Sequence, residues 1–179
     1  MKFIEKTLKS KKVYSNSFLD LYEDEVLLPN NKKSKRIYAT HLGAAAVLPI
    51  TKDNKIVLTK QYRYPIRAIS IEIPAGKKDF KGEPGIDCVK RELEEETNYT
   101  SNDIHFLLST HNCVGYSNEA IELYIAYNCV YEKDIRESDE DEFIEVVVYE
   151  LDEVIKFIDK GIITDAKTII AVQTYLLKK

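Results

Sequence analysis

The spacing of apolar positions changes character twice along this chain. Over the first forty residues it is short and alternating. Phe18 to Leu28 reads as a strand that stops at the turn signal Leu28-Pro29-Asn30-Asn31, and Lys35 to His41 alternates with Ile37 and Ala39 on one face. These segments predict a small antiparallel sheet. Gly43 to Leu48 is a continuous apolar run suited to a buried strand. After a turn at Asp53-Asn54, Lys55 to Tyr62 alternates with Ile56 and Leu58 inward, and Ile71-Glu72-Ile73 is a further short strand closed by Pro74.

From Pro84 to Thr97 the period becomes helical, with Ile86, Val89 and Leu93 on one stripe. Three more strands follow, at Ile104 to Leu108, Ile121 to Ala126 and Phe143 to Tyr149. Asp152 is expected to cap a helix that Gly161 ends. Asp165 is expected to cap a last helix carrying Ile169, Val172 and Leu176 on one face. Strands interleaved with few helices predict an α/β sandwich, a mixed sheet with helices on its faces, preceded by the small N-terminal antiparallel β-sheet. The expected division is residues 1–42 as an N-terminal β subdomain and 43–179 as the main domain.

Composition narrows the function. At 179 residues, 44% hydrophobic and 31% charged, the chain can bury a core. A net charge of −4 gives no basic footprint for nucleic acid. Cys88, Cys113 and Cys129 form no CxxC pair, so neither a disulfide framework nor a structural zinc site is expected. Met1 to Lys6 carries no apolar leader and no run of about 18 apolar residues exists, so a soluble cytoplasmic protein is expected. His41, His105 and His111 have no ligand spacing, and Cys113 has no evident base partner. Tyr14 and Tyr22 could stack on a base, although packing is the plainer role for any one tyrosine.

Acidic residues cluster at Glu92 to Glu96 and from Glu137 to Glu145. On a helix, Glu92, Glu95 and Glu96 project within an arc of roughly 100°. Like charges spaced i, i+4 cost about 0.2–0.5 kcal/mol per pair, and a hard divalent cation such as magnesium reverses that sign. Arg91 can pair with Glu95 at i, i+4. A solvated charged face would read the same way from the glutamates alone.

The preceding segment changes that balance. Glu72-Ile73-Pro74-Ala75-Gly76, then Lys77 to Gly82, Glu83, and Arg91-Glu92-Leu93-x-Glu95-Glu96 together resemble the Nudix box, G-x5-E-x7-R-E-U-x-E-E-x-G-U. Six residues rather than five separate Gly76 from Glu83. Asn98 stands where the box has its final glycine, and Tyr99 where it has an aliphatic residue. The resemblance extends along the chain to the ADP-ribose pyrophosphatase branch. Lys60-Gln61-Tyr62-Arg63-Tyr64-Pro65, Glu72 to Lys77, the loop Gly115-Tyr116-Ser117-Asn118-Glu119, Asp139 to Val146, and Asp165-Ala166-Lys167-Thr168 all resemble segments of that branch. Cys113-Val114-Gly115 departs from its S-P-G.

The resemblance implies a Nudix-type α/β/α sandwich and cleavage of a pyrophosphate bond by a metal-activated water. It implies that Glu92, Glu95, Glu96 and the Ala75 carbonyl hold Mg2+, for which Mn2+ can substitute, with Glu95 also counted among the catalytic groups. Arg63 would contact the diphosphate. Glu72 would bind ribose or metal, or serve as a structural carboxylate. Gly115 and Glu119 would face the substrate, and Glu83 would support the metal shell. Glu142 would be the general base, with Glu140 and Glu145 as alternatives; Glu145 is the weaker, since three residues along a strand it faces the other way. A homodimer through the N-terminal strands is implied as well. ADP-ribose is the expected substrate, other nucleoside diphosphate sugars the alternative. A non-catalytic ADP-ribose-binding module fits less well, because every box carboxylate is present, and a scaffold would leave the box unexplained.

Overall fold

In the computed structural model, residues 2–133 and 143–178 are described. The chain forms two compact units, one of residues 1–42 with 111–120, the other of residues 43–110 with 121–179. The loop after residue 110 thus belongs with the N-terminal strands.

In the smaller unit, β1 (Lys6–Ser15), β2 (Asp20–Leu27) and β3 (Lys33–Thr40) form an antiparallel sheet in that order. Asn31, with φ 63°, closes the turn between β2 and β3 by donating its N–H to the Leu28 carbonyl at 2.9 Å. Asn tolerates this left-handed backbone because its short polar side chain bonds locally. Every residue of β1 is exposed, and Ile37 on β3 is exposed as well. The alternation in this region therefore marks strands, of whose apolar residues only Val26 is buried. The loop joins the unit through a parallel bridge between Ala39 and Ser117 and through the His41 N–H, which donates to Asn118 Oδ1 at 2.8 Å.

The larger unit is built on β4 (Ala44–Thr51), whose eight residues are all buried. Alternation along β4 sends Ala44, Ala46, Leu48 and Ile50 into one apolar cluster and Ala45 and Val47 into another. A strand covered on both faces needs two helical layers. Around it, β5 (Lys55–Arg63), β6 (Ala68–Glu72), β7 (Ala75–Lys77), β8 (Tyr99–Thr100), β9 (Asp103–His111), β10 (Ala120–Tyr131) and β11 (Ile144–Glu150) complete an eight-stranded sheet. It is mixed: β10 runs parallel to β4, whereas β5 and β7 are antiparallel to β4 and β11 to β5. Helix α1 (Gly85–Thr97) covers one face with Cys88, Val89 and Leu93. Helices α2 (Leu151–Asp159) and α3 (Ala166–Lys178) cover the other with Val154, Ala171, Val172 and Tyr175. The expected α/β sandwich is thus observed.

Three local details differ from the pattern-based expectation. Helix α2 is capped by Glu150 rather than Asp152: Glu150 and Glu153 form a reciprocal capping box, which satisfies two orphan backbone donors where Asp152 at the second helical position could not. The buried stripe of α3 runs through Thr168, Ala171, Val172 and Tyr175, leaving Leu176 38% exposed. The short strand near Ile71 is Ala68–Glu72, so Ile73 follows it. Asp165 does cap α3, accepting from the Thr168 N–H at 3.0 Å. Asn98 ends α1 in the left-handed conformation, φ 56° and ψ 25°, as a glycine would.

Candidate active site

The segment Glu72-Ile73-Pro74-Ala75-Gly76 is a strap running from the end of β6 into β7, tied at every residue. Glu72 is bound by Arg63 and Lys167. The Ile73 N–H donates to Thr168 Oγ1 at 2.8 Å. The Pro74 carbonyl accepts from the Val47 N–H at 3.0 Å. The Ala75 N–H donates to Glu96 Oε2 at 3.2 Å. Gly76 lies against the Glu92 carboxylate so closely that a Cβ there would sit 1.9 Å from Oε1. The strap therefore joins the start of α3 to the carboxylate edge of α1.

Arg91 organises that edge. Its guanidinium lies 2.5 Å from Glu92, 3.5 Å from Glu95, 3.5 Å from Glu83 and 3.4 Å from Asp79, and it donates to the Lys77 carbonyl at 3.3 Å. One planar fork with five N–H donors can serve several acceptors at once. Burial works against its charge, but its neighbours, Glu92 foremost and Asp79 and Glu83 among them, outweigh that and push its pKa further up. The expected Arg91–Glu95 pair is present. Glu92 shares the carboxylate edge that the helical projection gives, but it is buried, because the strap covers it. Glu83, also buried, accepts from the Asp79 N–H at 2.7 Å and so closes the loop before α1. The extra residue in that loop is absorbed in a turn, in which the Glu83 N–H donates to the Phe80 carbonyl at 3.2 Å and Gly82 takes φ 93°. Cys88 lies under the strap 3.6 Å from the Gly76 carbonyl. Burial first, then the charge of Glu92, push its thiol up to about 12.

The second cluster lies at the other end of the strap. Arg63 grips Glu72 with two hydrogen bonds of 2.8 Å, from Nε and Nη2. Lys167 Nζ donates to the same carboxylate and lies 3.1 Å from Asp165. Burial raises the Glu72 pKa, but the bonds and charges of Arg63 and Lys167 outweigh it and hold the carboxyl down at about 2. Lys167 is a buried lysine, 8% exposed, that spacing alone did not single out. The signal available was the position of Asp165-Ala166-Lys167-Thr168 at a helix start.

Arg63, Glu72, Ala75, Glu92, Glu95 and Glu96 therefore all lie along the strap or the helix edge beside it. Gly115 and Glu119 lie in the smaller unit, where Gly115 is exposed and Glu119 faces His41 Nδ1 at 3.5 Å. Glu142 and Glu140 lie outside the described residues. Glu145, on β11, points toward Lys60 at 3.6 Å.

The donor set of the α1 edge, carboxylates and a backbone carbonyl, is the hard oxygen type that suits a divalent cation. The glycine at position 76 lets the Glu92 carboxylate sit against the strap backbone. Among the described residues the side chains, as placed, do not converge three at a time on one point. Arg91 stands between Glu92 and Glu95, pairing with both. The donor chemistry fits such an ion.

Comparison with known proteins agrees with this geometry. Residues 40–171 match the family profile described as "NUDIX domain", and residues 5–38 match "Nucleoside diphosphate sugar hydrolase N-terminal domain". The chain is 41% identical over 177 residues to a "Methanol dehydrogenase activator" of Bacillus methanolicus, covering 99% of this chain and 95% of that one. It is 39% identical over 175 residues to an "ADP-ribose pyrophosphatase" of Bacillus subtilis (strain 168), covering 98% and 94%. It is 29% identical over 154 residues to a "GDP-mannose pyrophosphatase" of Cronobacter sakazakii, covering 82% and 80%. A solved structure described as "Crystal structure of ADP compounds hydrolase" shares the fold, with a TM-score of 0.82 at 19% identity over 96% of this chain and 91% of that one. With its box residues gathered on one strap and one helix edge, and with relatives of this similarity over nearly its whole length, the chain belongs to the Nudix family.

Proposed function

We propose that the protein hydrolyses the pyrophosphate bond of ADP-ribose, giving AMP and ribose 5-phosphate, with magnesium as its cofactor and manganese as a working substitute. The observation that carries this reading is the strap, which brings a diphosphate-matching guanidinium, Arg63, and the carboxylate edge of Glu92, Glu95 and Glu96 to its two ends. The 39% identical ADP-ribose pyrophosphatase supports the substrate.

Glu92, Glu95, Glu96 and the Ala75 carbonyl would hold the ion. When bound, such an ion lowers the pKa of an attacking water and offsets charge on the phosphoryl oxygens. Arg91 orients Glu92 and Glu95. Arg63 chelates two oxygens of the diphosphate. Glu142 accepts the proton of the water, since the box carboxylates are committed to cation. Gly115 and Glu119 contact the substrate. The protein acts as a cytoplasmic homodimer through residues 1–42, with no nucleic-acid partner. The exposed β1, with Leu8, Val13 and Tyr14, supports that surface. Among the described residues no helix is long and apolar enough to cross a membrane.

A second reading, hydrolysis of another nucleoside diphosphate sugar, is favoured by Val114 in place of the proline expected before Gly115, by the N-terminal family match and by the GDP-mannose relative. Incubation with a panel of nucleotide sugars and magnesium, with products identified by mass, tests both. AMP and ribose 5-phosphate from ADP-ribose are expected. Intact ADP-ribose beside another cleaved sugar selects the second reading. Binding of ADP-ribose without cleavage of any sugar would overturn the enzyme reading.

A further inference from the structure

Glu72 has two cations where one would neutralise it. Arg63 and Lys167 both bind its carboxylate, and Asp165 lies 3.1 Å beyond Lys167, so four charges alternate in sign along one chain. The two cations differ in freedom. The Lys167 side chain is 9% exposed and flanked by pinned groups: Thr168 Oγ1 donates to Asp165 at 2.6 Å and accepts from the Ile73 N–H. The Arg63 side chain is 42% exposed and lies close enough to the α1 edge to feel the charge of Glu96.

This asymmetry has a physical consequence. A buried carboxylate held by a single arginine cannot release it, because the charge left behind is uncompensated. With Lys167 in place, Glu72 stays paired and hydrogen-bonded when Arg63 departs. A guanidinium fork matches carboxylate and phosphate in the same bidentate way, so it can exchange one for the other. We propose that Lys167 is a positioning residue for substrate capture: it keeps Glu72 compensated while Arg63 exchanges that carboxylate for the diphosphate of a nucleoside diphosphate sugar. Glu72 is then a resident stand-in for the anionic substrate, and Lys167 itself touches only the protein. The proposal rests on the reading of Arg63 as the diphosphate-binding cation.

The test is steady-state hydrolysis of ADP-ribose with magnesium, beside thermal melting, in Lys167→Met, Lys167→Arg, Glu72→Gln, the double variant Glu72→Gln/Lys167→Met, and Arg63→Gln. Lys167→Met leaves Glu72 dependent on Arg63 alone, so KM should rise on the order of tenfold or more, given the cost of an orphaned buried carboxylate, with kcat changed far less. Lys167→Arg should restore KM. Removing the Glu72 charge should release Arg63, so the double variant should have the KM of Glu72→Gln alone. That comparison can still overturn the proposal if Lys167→Met is too unstable to assay. An unchanged KM in Lys167→Met beside a raised KM in Arg63→Gln would overturn this proposal only. A KM higher in the double variant than in Glu72→Gln would also overturn it, since Lys167 would then act without Glu72. An unchanged KM in Arg63→Gln would remove the reading of Arg63 and the proposal with it.

Discussion

Gly76→Ala separates the position of a glutamate from its charge. The Cβ it adds would lie 1.9 Å from Glu92 Oε1 and 2.0 Å from Cδ, whereas ordinary contacts begin at 3.4 Å. The carboxylate must therefore retreat by about 1.5 Å, the difference between those two distances. Gly76 does not have a positive φ, so alanine meets no backbone strain. The displaced atoms are the far end of a flexible side chain, and overpacking of this kind costs about 1–3 kcal/mol, leaving a folded protein. The catalytic effect should be larger. A misplacement of about 1 Å can cost about a hundredfold in rate, so kcat on ADP-ribose should fall by about two orders of magnitude. The half-saturating magnesium concentration should rise as well, because a ligand has moved while its charge has stayed. The assay is initial rate against magnesium at saturating ADP-ribose, with a thermal melt as the control for folding. Wild-type kcat and magnesium dependence in folded Gly76→Ala would refute the role given to Glu92 and the strap.

Other expectations follow from single sites. Asn98→Gly should match or raise stability by up to about 1 kcal/mol in urea titration, because the left-handed cap suits glycine and the buried Asn98 Oδ1, which has no hydrogen-bond partner among the described residues, is removed; Asn98→Ala should instead lose about 1–2 kcal/mol. Glu72 is depressed to about 2 from 4.5, so its stabilisation is complete above the unfolded pKa and is lost as pH falls from about 4.5 toward 2. The loss should approach ~3 kcal/mol, and Glu72→Gln should flatten the acid limb of stability against pH; identical limbs would count against it. Glu142→Gln should lower kcat by roughly 10²–10⁴ with little change in substrate binding, and full activity there with loss in Glu140→Gln or Glu145→Gln would move the proton acceptor to the neighbour.

Local chemistry along the chain was enough for most of the strands, though not for β1, β7 or β8, and for the box helix and its end at Asn98, because alternation, 3.6-residue spacing and turn residues act over a few neighbours. The identity of the carboxylates was legible for the same reason: Glu92, Glu95 and Glu96 share an edge by helical geometry alone. What surrounds them was not. A helical projection places Glu92 on the carboxylate edge, and only the strap packed across it makes it buried. Arg63 and Glu72 are nine residues apart, and Lys167 lies 95 residues beyond Glu72. No periodicity connects such positions. Their alternating charges meet because β5, β6 and the start of α3 converge in the folded unit, where low dielectric makes each partner necessary to the next.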